Sequence, residues 1–214
     1  MRQKSWNRSS WKNTDMELTR ETAEATLNWA LKQNPGPWGD HSRYAAKACE
    51  WIAGHCGMDS EQAYLLGLIH DIGRYPGVTG IRHMYDGYMF CRNMGWNKAA
   101  EICLTHGYLI QEDPEAIIGI RDLTVEEQRA VEQIISQTVY DDYILLVQLC
   151  DALAMSTGFC LLEKRWVDVV MRYGPSPANV RRWKRTLEIK AMFEARMGCS
   201  VYEVLPGVVE NTFR

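Results

Sequence analysis

Residues 60–77 read SEQAYLLGLIHDIGRYPG, and the way this run folds decides the architecture. Asp59 or Ser60 stands before it as a cap, and Asp59 with Gln62 has capping-box spacing. Ala63, Leu66 and Gly67 lead along the segment to His70. The spacing predicts a helix that ends near Gly73. His70 and Asp71 therefore come directly after a run apolar enough to be buried, where ionisable groups are costly unless paired or ligating.

Working outward, the same helical signals recur in both directions. Upstream, a helix over about 19–32 stops at Asn34-Pro35-Gly36-Pro37. A second over about 40–53 carries the stripe His41, Tyr44, Ala45, Ala48, Ile52, and Gly54 and Gly57 break it. Downstream, a helix over about 81–94 stops at Gly95, and another, capped by Asn97, runs to His106. Thr124 and Glu127 form a capping box before the next, and a very apolar helix follows over about 142–155. Further helices are expected near 161–173, 179–197 and 200–205, the last with Ser200 and Glu203 at capping-box spacing. No alternating strand of useful length, internal repeat or linker appears. The expectation is an all-α, single-domain helical bundle over residues 16–214, preceded by a mobile arm over 1–15.

Composition narrows the function. With 214 residues, 46% hydrophobic and 24% charged, the chain suits one compact domain. A net charge of -3 gives no reason to expect nucleic acid as a partner. No stretch approaches the roughly 18–20 apolar residues of a membrane span, so no membrane partner is expected. The seven cysteines are odd in number and form no CxxC pair, which reads as free thiols in a cytoplasmic protein.

The five histidines are distributed unevenly. His41 opens one predicted helix and His70 closes the next. With outward and return paths of about 18 Å and 15 Å at 1.5 Å per residue, both imidazoles finish at one end of a hairpin. His83 and His106 repeat this arrangement in the following hairpin, over about 15 Å and 14 Å. His55 falls in the turn at the opposite end and is excluded. Asp151 shares a helical stripe with Ile144, Val147 and Ala154, so it points inward, and Asp71 follows His70 at a helix end. A lone histidine on an apolar face is usually a satisfied core residue, but four histidines and two aspartates converging by separate helix arguments are not. Imidazole plus carboxylate suits iron, manganese, zinc, cobalt or nickel.

The order His41, His70-Asp71, His83, His106, Asp151, with the segments GLIHDIGRYPG and LVQLCDALA, resembles the HD superfamily of metal-dependent phosphohydrolases. The resemblance covers roughly residues 38–156. It implies an all-α bundle, a first divalent transition-metal ion on His41, His70, Asp71 and Asp151, and room for a second on His83, His106 and a bridging Asp71. It is similar in residue order to the HD enzymes that cut dinucleoside tetraphosphates symmetrically, and to uncharacterised bacterial HD proteins. Those tetraphosphate hydrolases carry a threonine-rich segment after the residue matching His106, whereas this chain reads GYLIQEDPEAIIG there.

The implied activity is hydrolysis, by metal-activated water, of a nucleotide-like phosphomonoester or phosphoanhydride, with Asp71 and Arg74 as catalytic residues. Arg74, Arg82 and Arg43 are the candidates for substrate phosphate. A mixed-valent di-iron oxygenase on the same six positions, and a non-catalytic nucleotide-binding module, are the alternatives. Specificity is expected from the loop between Tyr108 and Leu123, from Trp38, Tyr75 and Tyr85, and from the C-terminal helices. Oligomeric state is left open.

Overall fold

The computed structural model describes residues 17–214; the arm expected over residues 1–15 lies outside the described residues. Helix α1 (Arg20–Gln33) begins at Thr19, whose side chain accepts from the Thr22 N–H, and α2 (Trp38–His55) follows the proline turn. In α3 (Ser60–Ile69) the Asp59 side chain accepts from the Gln62 N–H, satisfying one of the free donors at the helix start. Helices α2 and α3 pack closely because Gly67 has no side chain. A Cβ there would stand 2.8 Å from Ala46 Cα.

The chain then makes a single 3₁₀ turn, Ile72–Arg74, and enters α4 (Arg82–Asn93). Gly73 allows the turn to lie on α4, since a Cβ there would meet the His83 carbonyl oxygen at 1.9 Å. Helix α5 (Asn97–Thr105) returns against α4. Helix α6 (Val125–Gln137) starts from a complete Thr124–Glu127 capping box. Helix α7 (Asp142–Leu153) runs through the core with Ile144, Leu146, Val147, Leu149, Cys150 and Leu153 buried, against α2, α3 and α5. Each fully buried Leu or Ile contributes about 1.5–3 kcal/mol, so α7 anchors both hairpins.

Beyond α7 come α8 (Leu162–Tyr173), α9 (Asn179–Met197), α10 (Val201–Val204) and α11 (Val208–Thr212). Helix α9 also packs on α7. Helix α8 is different, with Leu162 its one fully buried residue. The all-α fold class holds, and the only strands among the described residues are β1 (Ala154–Met155) and β2 (Gly158–Phe159), paired antiparallel with Ala154 opposite Phe159.

Several boundaries differ from the sequence expectation, by two residues at each end for α2. The α3 segment is α-helical only to Ile69, because the chain tightens into the 3₁₀ turn. The apolar helix α7 ends at Leu153 rather than near 155, because Ala154 and Met155 pair with β2. Asn97 is the first helical residue of α5 and not its cap; its side chain accepts from Arg92 instead. Helix α11 was not expected. All seven cysteines are free, and Cys49, Cys91, Cys103, Cys150 and Cys160 are buried. No helix among the described residues is long and apolar enough to cross a membrane.

Candidate metal centre

The helix ends bring six side chains to one place. His41 lies in the first turn of α2, His70 caps the end of α3, and Asp71 opens the 3₁₀ turn. His83 lies in the first turn of α4, His106 caps the end of α5, and Asp151 lies in the last turn of α7. Ring centroids are 5.3 Å apart for His41–His70, 5.0 Å for His70–His106 and 5.4 Å for His83–His106. His55 is exposed at the far end of α2, with its Nδ1 bonded to the Trp51 carbonyl.

Each of the four imidazoles is fixed from behind. Nδ1 donates to the Ala154 carbonyl from His41 (3.2 Å), to Gly67 from His70 (2.7 Å), to Gly80 from His83 (2.5 Å) and to Cys103 from His106 (2.8 Å). A carbonyl only accepts, so Nδ1 carries a proton in each ring, which leaves Nε2 as the inward-facing atom and the one available to ligate a metal. The Nε2 atoms crowd against one another and against carboxylate oxygens. His83 Nε2 is 3.3 Å from His106 Nε2, and these lie 3.3 Å and 3.5 Å from Asp71 Oδ1. His41 Nε2 is 3.0 Å from Asp151 Oδ1. His70 Nε2 and Asp71 Oδ1 are buried with no hydrogen-bond partner. Ligand atoms crowded together in so enclosed a place call for protons or cations among them.

Two groups of donor atoms have ligand spacing. His41, His70 and Asp71 form one, and Asp71, His83 and His106 the other, with all ligand atoms in a group within 4.8 Å of one another. Asp71 belongs to both. Asp151 stands slightly apart, its Oδ1 4.0 Å from His70 Nε2. Burial works to raise the Asp71 pKa, but the Arg74 guanidinium beside it leads the opposing influences, and the carboxyl is held well below the usual range. Asp151 is likewise held low against its burial, by His41 and Arg165. Burial, reinforced by His70, lowers His106 to about 3, and burial lowers His41 as well. Asp71 and Asp151 are thus favoured as anions and His41 and His106 as neutral rings, the protonation that metal binding requires.

The arginines expected from sequence divide. Arg74 lines the site, its Nε donating to Asp71 Oδ2 at 2.6 Å and its Nη2 to His83 Nε2 at 3.2 Å. Arg43 does not reach it, being held by Asn28, Asp40 and Glu24. Arg82 is drawn away by Glu127, Asp86 and the Asp122 carbonyl. Neither lines the cavities at the centre, so the structure gives no support to a phosphate contact from Arg43 or Arg82.

Two adjoining cavities open on the cluster. The inner one, about 130 Å³, is bounded by Asp71, His83, His106, Asp151 and Arg182 among others. The outer one, about 300 Å³, adds Pro37, Trp38, Met155 and Ser156. Arg74, Arg165, Arg172 and Tyr173 border both. Of the expected specificity residues, Trp38 borders the outer cavity, and Ile118 and Gly119 of the 108–123 loop border the inner one. Tyr75 is buried against Trp29 and Phe90, and Tyr85 packs on the smaller core cluster. Arg165, Arg172 and Arg182 were not singled out from sequence. The spacing of Arg165, Asp168, Val169 and Arg172 on one face of α8 was the available signal; nothing comparable marked Arg182 within the basic run VRRWKR.

Fold and cluster together define a helical protein whose His/Asp centre fits metal binding. The HD domain model matches residues 38–156, more than half of the chain, and the chain belongs to the HD domain family, whose members are typically metal-dependent hydrolases. No curated protein and no solved structure matches it.

Proposed function

We propose that this protein is a phosphohydrolase that uses one or two divalent transition-metal ions, of iron, manganese, zinc, cobalt or nickel, on a nucleotide-like phosphomonoester or phosphoanhydride. The observation that carries this reading is the set of six inward ligand groups, four imidazole and two carboxylate, beside a cavity bordered by arginines. His41, His70, Asp71 and Asp151 would hold the first ion, and His83, His106 and the shared Asp71 the second. A bound ion supplies Lewis acidity toward a phosphoryl oxygen and lowers the pKa of water.

The chain's own residues do the rest. Arg74 orients Asp71 and presents a cation to the phosphoryl group. Trp38 and Tyr173, on the borders of the outer cavity, offer faces for a planar base. Metal-loaded protein should release phosphate from part of a panel of mononucleotides, nucleoside di- and triphosphates, dinucleoside tetraphosphates and simple esters. Silence across that panel would sink the reading. The arginine border favours an anionic substrate over the oxygenase alternative. Iron content with an electron paramagnetic signal and oxygen uptake would reverse that preference, and tight nucleotide binding without turnover would point to a binding module.

A further inference from the structure

Among the arginines of the two cavities, Arg182 is the exception. Arg74 is matched by Asp71, Arg165 by Asp151 and Asp168, and Arg172 by Asp168. Arg182, on α9, has no ion-pair partner among the described residues. Its Nη1 donates to the Gly107 and Ala116 carbonyls at 2.7 Å and 2.9 Å, and its Nε and Nη2 make no hydrogen bond to any described residue. Arg182 is half-buried, and that burial lowers its pKa to about 10, with Asp151 the one carboxylate opposing the shift. Even a half-buried guanidinium without an anion is costly, and the folded chain retains this one on the border of the inner cavity, which His106 and Asp151 also line.

We propose that Arg182 binds the phosphoryl group of the substrate directly, as the cation opposite the metal ligands in the inner cavity. The inference rests on the phosphohydrolase reading and adds to it a residue from outside the matched 38–156 region. A forked guanidinium whose Nη1 is anchored by two carbonyls keeps Nε and Nη2 in a fixed plane, the geometry suited to two phosphate oxygens. The Gly107 and Ala116 bonds also tie the loop after His106 to α9, so a purely structural role is the competing explanation.

The two are separated by titrating inorganic phosphate into manganese-loaded protein by calorimetry, alongside metal content and circular dichroism. Arg182→Gln should weaken phosphate binding at least tenfold while the fold and the bound manganese are kept. Arg182→Lys, which keeps the charge without the fork, should lose less affinity than Arg182→Gln. Wild-type phosphate affinity in folded Arg182→Gln overturns the proposal, as does absence of phosphate binding by the wild type. If Arg182→Gln does not fold, Arg182→Lys decides: weaker phosphate binding supports the proposal, and unchanged binding or failure to fold overturns it. A wild type that binds phosphate through Arg182 yet hydrolyses no phosphoester would refute the hydrolase reading and leave this inference standing.

Discussion

The two walls of the cavity are built in opposite ways. The wall from α2 to α7 is buried, its imidazoles fastened by backbone carbonyls and its carboxylates set at helix ends. The wall from α8 is half-exposed, with Leu162 its one fully buried residue and its arginines held by Asp168. Reactive geometry tolerates little displacement, and a packed core supplies the stiffness. Recognition of a variable substrate tolerates more, and a lightly packed helix is free to change in sequence without disturbing the core. On the proposed function, the difference would place chemistry on the first wall and selectivity on the second.

Asp71→Ala offers the largest test, because Asp71 belongs to both ligand groups. It should remove metal and abolish hydrolysis, by more than the ~10–100-fold typical of partners that only orient a ligand. Full metal content in the folded variant, read by elemental analysis, would break the assignment. Arg172→Ala comes next. It should raise KM about tenfold with kcat and metal content nearly unchanged, since one charge-assisted contact at a half-exposed site is lost. An equal fall in kcat would put α8 in the chemistry after all.

Acid should find the first wall in metal-free protein. His106 is lowered from 6.5 to about 3, so below pH 6.5 the unfolded chain takes up a proton that the folded chain refuses. Stability should therefore fall as pH drops from 6.5 toward 3, by up to ~1.4 kcal/mol per pH unit for each such group. Asp71 and Asp151, held below their ordinary values, act in the same direction at the acid end. Urea midpoints that stay level from pH 7 to pH 4 would contradict this. Thr124→Ala is the smallest test. It removes the α6 capping box, remote from both walls, and should cost about 1 kcal/mol in thermal unfolding with metal content unaltered.

Much of the first wall was legible before folding. The caps at Asp59, Thr124 and Ser200 start helices where the sequence places them, because a side-chain acceptor three residues before a periodic run is a local signal. Helix rise alone brought His41 near His70 and His83 near His106. What escaped was tertiary. The β1–β2 pair is tied to α11 by Asn211, whose side-chain amide donates to the Phe159 carbonyl across the fold. Arg43 and Arg165 look alike on a helical sequence, yet one meets Asn28, Asp40 and Glu24 and the other Asp151. Only the packed neighbours tell them apart.

The carbonyl bonds behind the imidazoles have one more consequence. For His70, His83 and His106 the acceptor is the residue three positions earlier in the chain, so each ring is oriented by its own local backbone, a helical turn for His70 and His106 and the entry into α4 for His83. Ligand direction is therefore set during folding and does not wait for an ion to arrive. An ion entering such a cradle has little protein to reorganise, and capture should be fast. The cradle also adapts little to what it captures, which leaves the identity of the resident ion to the Irving–Williams order and to whichever metals the cell keeps free.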